Sequence, residues 1–334
     1  MSDGATSRAQ LHATERLDAA SVVDAAAPRG GRRREDRIVA ASAATQRAID
    51  HALLASRGDR AVIIRGPSGC GKTMLARAVH AWSPAASGPL VTLPCASVPE
   101  PLQGRELFGC AVDTYPALPE AHVGALERAA NGTLLIEGLE ALSPAVAGAL
   151  ARAIAAGRYR PEGDAEERSL RARIVATCDR LPAAHPLGEA CQEVVLAPLS
   201  ERSEDVLPLA AHFLALAASE LGIEPIGFAP DARAALLEEP WPGNAAELRE
   251  RVRQAVRLAS GGAVSAEALL LAAPGDRVPS FREAKRAFEA RYVQSLLRLC
   301  EGNISQAARL AQKDRKDFYD VIRRTGIDPG QFRR

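Results

Sequence analysis

The stretch that decides the fold is AVIIRGPSGCGKTMLAR, residues 61–77. A short apolar run leads into a glycine-rich turn that opens onto a helix-forming segment, and the turn matches the pattern G-x-x-x-x-G-K-[ST] in full. In this pattern the loop N–H groups surround phosphates, the lysine reaches the β- and γ-phosphates, and the hydroxyl binds Mg²⁺. The sequence therefore predicts a P-loop; the alternative is a chance glycine-rich turn with an exposed lysine. The loop residues assigned to the nucleotide are Gly66, Pro67, Ser68, Gly69, Cys70, Gly71, Lys72 and Thr73, with Thr73 also a ligand of Mg²⁺.

Length and composition indicate a multidomain protein without a membrane segment. The 334 residues are 47% hydrophobic and 25% charged, and no apolar run approaches the ~20 residues that span a bilayer. We therefore expect a cytoplasmic protein with no membrane partner. Its six cysteines are scattered without a C-x-x-C pair, which favours reduced thiols over zinc ligands or disulfides. Cys70 is interpreted as a small filler in the P-loop; the alternative is an oxidisable thiol that gates nucleotide binding.

The two ends of the chain differ from its body. Residues 1–36 are rich in Ala, Ser and Arg without apolar periodicity, which predicts a disordered arm. Its arginines either keep the arm solvated or contact DNA. At the other end, residues 281–334 carry thirteen Arg or Lys against seven Asp or Glu, although the whole chain has a net charge of only +1. This surplus indicates a polyanionic partner for the C-terminal end.

Strands and helices alternate around the P-loop and then give way to helices alone. This order predicts an α/β fold with a wound parallel sheet whose ligand lies at the carboxyl ends of the strands, followed by a helical segment. The strands are expected at 62–64, 90–93, 132–136 and 173–177, and the helices that flank the P-loop strand at 45–55 and 74–80. The helical segment is expected at 203–271, with one of its helices starting at Ala245, and a linker is expected at 272–280.

Several motifs in a fixed order resemble one family. IVAASAATQ, GPSGCGKT, ELFG, NGTLLIEGL, RIVATCDR, LAPLSERSEDV, WPGN and a terminal helix-turn-helix are similar to the NtrC-type activators of sigma-54 RNA polymerase, which are AAA+ ATPases. The resemblance covers residues 37–328. It implies an AAA+ P-loop parallel sheet at 37–202, a helical lid at 203–271 and a Fis-type helix-turn-helix DNA-binding domain at 281–334. It also implies ATP and Mg²⁺ as cofactors, self-association as a dimer or ring, and double-stranded DNA as a partner.

The residues that would activate water depart from the family pattern. The family's Asp-Glu pair after the third strand falls on Glu137 and Gly138. Glu137 is the candidate catalytic residue and is expected to serve Mg²⁺ through water, whereas glycine cannot act as a base. The asparagine that pairs with the family's catalytic glutamate aligns with Pro94. Glu140 is the alternative base, although it lies beyond the end of the strand.

The residues that would sense or stabilise the γ-phosphate depart as well. The family's sensor residue aligns with Asp179, which would place a carboxylate beside the γ-phosphate. The stretch that supplies arginine fingers corresponds to residues 185–195 and contains no arginine, and the lid arginine aligns with Ala246. Arginine fingers and a general base each supply several powers of ten in rate, so hydrolysis is expected near background. The loop that contacts sigma-54 aligns with residues 113–118, where only the aromatic Tyr115 is retained, and that contact is not expected to survive.

The C-terminal segment retains its family features better. Residues 281–300 form an amphipathic pattern with Phe288, Tyr292, Leu296 and Leu297 at helical spacing, and the equivalent helix pairs with its copy in the family. A helix-turn-helix is expected at 302–327, capped by Asn303 or Ser305, with a core that includes Leu310, and with Gln312 in place of the turn glycine. The acidic residues of the predicted reading helix either select cytosine or weaken binding to DNA. The alternative function of this helix-turn-helix segment is dimerisation alone, as a helical hairpin. The residues assigned to DNA are Arg315, Lys316, Asp317, Tyr319, Asp320, Arg323 and Arg324.

The sequence thus predicts a DNA-binding transcriptional regulator on an AAA+ body that binds ATP and hydrolyses it poorly. An active sigma-54-activating ATPase and a non-catalytic subunit of a mixed ring are the alternatives.

Overall fold

The computed structural model describes residues 22–24, 37–116, 120–180, 185–187, 191–224, 227–259, 262–272 and 281–332. It divides into two compact units, of which the first comprises residues 1–212 with Leu237–Leu248 and the second comprises Phe213–Leu236 with residues 249–334. The predicted linker at 272–280 lies outside the described residues except for Ala272.

The first unit is built on a five-stranded parallel sheet. The strands are β3 (Ala61–Arg65), β4 (Leu90–Pro94), β5 (Thr133–Glu137), β8 (Arg173–Cys178) and β9 (Cys191–Val195). They stand in the order β4-β5-β8-β3-β9, with the P-loop strand β3 between β8 and β9. The first four in the chain are the predicted strands, and none of their bounds differs from the prediction by more than one residue.

Both faces of this sheet are buried. In β3, Ala61 and Ile63 contribute to one apolar cluster while Val62 and Ile64 contribute to another, and all four are at most 4% exposed. A strand that is buried on both faces reads as a continuous apolar run, which is why AVII predicts a central strand. Helices cover the two faces: α1 (Ala43–Arg57) and α2 (Lys72–Trp82) on one, and α3 (Gln103–Phe108), α4 (Ala125–Arg128) and α5 (Pro144–Ala156) on the other.

Two short strand pairings were not predicted. Strands β1 (Val22–Asp24) and β2 (Arg37–Val39) pair antiparallel, so the described part of the N-terminal arm is a strand. The rest of residues 1–36 lies outside the described residues, and its disorder stays a prediction. A second hairpin joins β6 (Arg158–Tyr159) to β7 (Arg168–Ser169).

The chain beyond the sheet is helical, as predicted. The helix that follows the turn WPG begins at Asn244, one residue before the predicted start. No helix among the described residues has the length and apolar character needed to cross a membrane. The helices that follow the sheet are α6 (Val206–Leu221), α7 (Pro230–Glu238), α8 (Asn244–Leu258) and α9 (Ala266–Leu271).

The last three helices share a small core. They are α10 (Phe281–Leu299), α11 (Ile304–Leu310) and α12 (Arg315–Thr325), and Asn303 caps α11 by accepting a hydrogen bond from the Gln306 N–H at 3.2 Å. Phe318 and Ile322 are buried between them. The prediction that Leu310 belongs to this core was wrong, because the inner face of α11 carries Ala307 and Ala308 and leaves Leu310 51% exposed. Gln312 has φ +51°, the left-handed conformation that a turn glycine would adopt without strain.

Candidate nucleotide-binding site

The P-loop requires its glycines for two separate reasons. Gly69 and Gly71 have φ of +75° and +109°, values that residues with a Cβ rarely adopt. At Gly66 the backbone is ordinary, but an added Cβ would lie 2.4 Å from the carbonyl oxygen of Leu196, the residue after β9. The loop therefore turns tightly while it lies against the end of the neighbouring strand. Helix α2 starts at Lys72 with no side-chain cap, which leaves its N-terminus available to an anion.

Three donors from distant parts of the chain hold the carbonyl groups of this loop. Asn244 Nδ2 donates to the Ser68 oxygen at 2.8 Å, the Ala246 N–H donates to the Gly69 oxygen at 3.1 Å, and Arg202 Nη2 donates to the Cys70 oxygen at 2.6 Å. A phosphate accepts hydrogen bonds and cannot use carbonyl oxygens. The loop is therefore fixed through the groups that an anionic ligand does not need.

Arg202 extends this support through a buried carboxylate. Asp205 is fully buried, lies 3.5 Å from Arg202 Nη1, and accepts from the N–H groups of Ala41 and Ser42 at 2.7 Å each. The hydroxyls of Ser42 and Thr45 donate to the same carboxylate. Burial lowers the pKa of Arg202, and the neighbouring Asp205 offsets part of that effect. The pair ties the start of α1 to the P-loop.

Lys72 is fully engaged inside the protein. Its Nζ donates to the carbonyl oxygens of Gly66 at 2.8 Å and Pro67 at 3.1 Å, and to Asp179 Oδ1 at 2.7 Å. An ammonium has three hydrogens and no acceptor, so all of its donors have partners. The structure thus brings two of the predicted site residues, Lys72 and Asp179, into direct contact. A phosphate oxygen can reach Lys72 only by replacing one of these acceptors.

The predicted metal ligands also lie together. The Thr73 hydroxyl donates to Glu137 Oε1 at 2.8 Å, where Glu137 is the last residue of β5. A hydroxyl and a carboxylate are oxygen ligands of the kind that Mg²⁺ binds alongside substrate phosphates and water, so this pair fits that ion. Among the described residues no group of three or more His, Cys, Asp or Glu could hold a metal by itself.

The position predicted for the general base, Gly138, is open and has no side chain. Gly138 has φ +71°, and an added Cβ would have no heavy atom within 4 Å. The nearby Glu140 is exposed, and its Oε1 accepts from the Asp179 N–H at 3.2 Å. Pro94, at the end of β4, pairs in register with Glu137 and offers no side-chain hydrogen bond. Glu137 and Asp179 therefore contact the P-loop residues Thr73 and Lys72, Glu140 contacts the backbone of Asp179, and Gly138 contributes no side chain.

The thiols around this site are sealed. All six cysteines are free and buried, and Cys70 is only 2% exposed. Burial raises the pKa of Cys70, that of Cys95 to about 12 and that of Cys178 to about 11. Because the thiolate is the reactive form, these residues are fillers, and the interpretation of Cys70 as a filler is favoured over an oxidisable gate.

The segment aligned with the sigma-54-contacting loop is attached to the β6–β7 hairpin. The Tyr115 hydroxyl donates to the carboxylate of Glu162, and the Thr114 hydroxyl donates to the Glu162 carbonyl oxygen at 3.2 Å. Burial and the Glu162 carboxylate raise the pKa of Tyr115 to about 12. Residues 117 and 118, which complete the aligned segment, lie outside the described residues.

The residues assigned to DNA all lie at the surface of α12. Arg315, Lys316, Asp317, Tyr319, Asp320, Arg323 and Arg324 are exposed. Arg324 forms an ion pair with Glu289 of α10 at 2.9 Å, and Asp314 caps α12 by accepting from the Lys316 N–H at 3.1 Å. Asp317 and Asp320 therefore share the exposed surface of α12 with the other five residues assigned to DNA.

The first unit has the fold of AAA+ nucleotide-binding proteins. The model of the sigma-54 interaction domain matches residues 38–189, and that of the AAA+ ATPase lid domain matches residues 200–279. The transcriptional regulatory protein GlrR of Escherichia coli is 31% identical over 323 residues, with 93% of this chain and 73% of the relative covered. The NorR regulator of Salmonella dublin is 31% identical over 299 residues, with 80% of this chain and 59% of that protein covered.

A solved structure agrees with these relatives. NtrX from Brucella abortus in complex with ADP superposes with a TM-score of 0.62 at 26% identity, covering 87% of this chain and 69% of that one. The chain therefore belongs to the family of sigma-54-dependent activators.

The sequence missed the residues that support the P-loop. The P-loop is contacted by Arg202 and Asn244, which lie 132 and 176 positions away in the chain, and Asp205 supports it through Arg202. No local sequence pattern marks such contacts. The available signal was a charged pair at i, i+3 inside the apolar-flanked motif LSERSED. Asn244 gave another, because a residue type that favours helix starts follows directly after the turn WPG.

Proposed function

We propose that this protein is an ATP-binding, sequence-specific DNA-binding transcriptional regulator that hydrolyses ATP poorly and has lost the sigma-54 contact. The observation that carries the proposal is a complete P-loop beside a strand end where glycine, Gly138, stands at the place of the general base. Its relatives at about 30% identity are transcriptional regulators, and NtrX has been solved with ADP and with ATP. Binding and hydrolysis thus rest on different residues, and only the residues for binding are complete.

The chain's own residues divide the work as follows. Backbone N–H groups of the loop and the start of α2 bind phosphate, Lys72 neutralises it, and Thr73 with Glu137 holds Mg²⁺. The bound Mg²⁺ supplies charge neutralisation between phosphates. No residue of the site takes a proton from water, because Gly138 has no side chain and the arginine-free stretch 185–195 offers no positive charge to a neighbouring subunit.

A second candidate is an active ATPase. The observation that favours it is Glu140, whose exposed carboxylate already lies at the edge of the site on the Asp179 N–H. In this account Glu140 replaces the missing base. A third candidate, a non-catalytic subunit of a mixed ring, is compatible with the same degenerate site and differs only in its partner.

Self-association is proposed through α10. The rings of Phe288 and Tyr292 stack with their centroids 6.0 Å apart, and the two side chains are 56% and 43% exposed. Large aromatic side chains on an exposed helix face are typical of a protein contact. Pairing of α10 with its copy would place two α12 helices on one DNA duplex, which is the arrangement that a helix-turn-helix dimer uses.

Nucleotide binding is tested by the thermal midpoint of the full chain. Saturation with Mg²⁺ and ATP or ADP is expected to raise the midpoint, because a ligand bound only by the folded state stabilises it by about 2.7 kcal/mol at one hundred times Kd. Lys72→Ala is expected to abolish this rise. Lys313→Ala, which removes an exposed lysine outside the site, is the matched control and should retain it. A rise that is equal in all three proteins would place the nucleotide elsewhere.

DNA reading is tested on the full chain with selected duplexes. Binding should weaken steeply as salt rises, because Arg and Lys displace condensed counterions. Arg315→Ala is expected to relax specificity at one base pair by about 1–3 kcal/mol, whereas Arg324→Ala should weaken all sequences alike. A salt-independent interaction, or the same specificity loss in both variants, would contradict the assignment.

A further inference from the structure

The Lys72–Asp179 pair occupies the place where a third phosphate has to bind. In a P-loop the lysine ammonium reaches the β- and γ-phosphates, so its position marks theirs. Here Asp179 Oδ1 lies 2.7 Å from Lys72 Nζ, and the two remaining hydrogens of the ammonium go to carbonyl oxygens of the loop itself. Of the three acceptors, Asp179 alone is a side chain that a ligand can displace without breaking the loop.

The peptide group that joins Cys178 to Asp179 is held through both its carbonyl oxygen and its N–H. The Gly66 N–H donates to the carbonyl oxygen of Cys178 at 3.2 Å, and the Asp179 N–H donates to Glu140 Oε1 at 3.2 Å. The Lys72 side chain is only 12% exposed, whereas that of Asp179 is 47% exposed. The pair is therefore preorganised at the mouth of the site, with the ammonium inside and the carboxylate at the entrance.

We propose that Asp179 makes this site selective for a nucleoside diphosphate over the triphosphate; the inference rests on the proposed nucleotide binding. A diphosphate binds through the loop N–H groups and the start of α2, and the charge of Lys72 attracts its β-phosphate while the ammonium keeps its bond to Asp179. A triphosphate places its third phosphate beside the Asp179 carboxylate, so it must break the ion pair and accept a like charge at short range. Glu140 adds a second negative charge next to the same backbone.

The test compares affinities for Mg²⁺–ADP and Mg²⁺–ATP by calorimetry on the full chain at constant ionic strength. The unmodified protein is expected to bind ADP at least about tenfold more tightly than ATP. Asp179→Asn should raise the affinity for ATP by about tenfold or more and change that for ADP by less than about threefold. Glu193→Gln is the matched control: it removes one exposed carboxylate that pairs with Arg65 and leaves the Lys72–Asp179 pair intact, so the preference for ADP should remain.

The outcomes separate this inference from the proposed nucleotide binding. If the unmodified protein binds both nucleotides equally, or Asp179→Asn changes both affinities by the same factor, the selectivity is refuted while nucleotide binding stands. If the unmodified protein binds neither but Asp179→Asn binds ATP, the role of Asp179 stands and the binding proposed for the natural chain fails. Loss of the ADP preference in Glu193→Gln to the same extent as in Asp179→Asn would assign the effect to net charge and overturn the role of the pair.

Discussion

Gly138→Glu is expected to leave ATP turnover within about tenfold of the unmodified protein, far below the three or more orders of magnitude by which a missing base and missing arginine fingers lower the rate. The side chain has room, because nothing lies within 4 Å of an added Cβ. The backbone at residue 138, however, has φ +71°, a conformation that costs a glutamate about 1 kcal/mol. The new carboxylate would therefore project from a strained backbone. A water-activating carboxylate also gains little when no arginine stabilises the transition state.

Gly138→Ala is the matched control for this experiment. It carries the same backbone strain and no carboxylate, so the two variants should show similar stability and similar turnover in a phosphate-release assay. A rise in turnover of a hundredfold or more in Gly138→Glu alone would show that the base is the single missing element, and that residues outside 185–195 already supply the positive charge.

Asp205→Ala is expected to lower the free energy of unfolding of the first unit by about 3–5 kcal/mol. The variant leaves Arg202 buried without its counter-ion and removes the acceptor of the Ala41 and Ser42 N–H groups. Trp82 and Trp241 both belong to the first unit, so denaturation followed by tryptophan fluorescence reports on it directly.

The control for Asp205→Ala is Glu193→Ala. Glu193 pairs with Arg65, but both side chains are more than 40% exposed, and such a pair contributes about 0–1 kcal/mol. Equal losses in the two variants would contradict the view that the buried pair supports the P-loop. A loss confined to Asp205→Ala would agree with it.

The sequence predicted the central strands and the P-loop well because their signals are local. The run AVII is buried on both faces, and the glycines of the loop are required by positive φ or by close backbone contact. Strand β9 was missed because Cys191–Val195 mixes polar and apolar residues at the edge of the sheet, where two of its five residues are exposed. Edge strands carry weaker patterns than central ones.

Contacts between distant residues could not be predicted. The sequence placed Asp179 near the γ-phosphate, but the direct ion pair with Lys72 joins residues 107 positions apart. The bond from Asn244 to Ser68 spans 176 positions. The error at Leu310 has the same origin, since apolar spacing alone does not show which side of a short helix faces its neighbours. The residue types of the site could therefore be read from the sequence, whereas the ion pair between Lys72 and Asp179 is visible only in the fold.

If the chain binds ATP without hydrolysing it, ATP binding and ATP hydrolysis can be measured together on one sample. The full chain is incubated with Mg²⁺ and ATP at saturation, the thermal midpoint is recorded, and phosphate release is followed over the same period. We expect the nucleotide to raise the thermal midpoint, and we expect turnover to be at least about a thousandfold below one per second. Turnover on the order of one per second would contradict this expectation and would assign the base to Glu137 or Glu140.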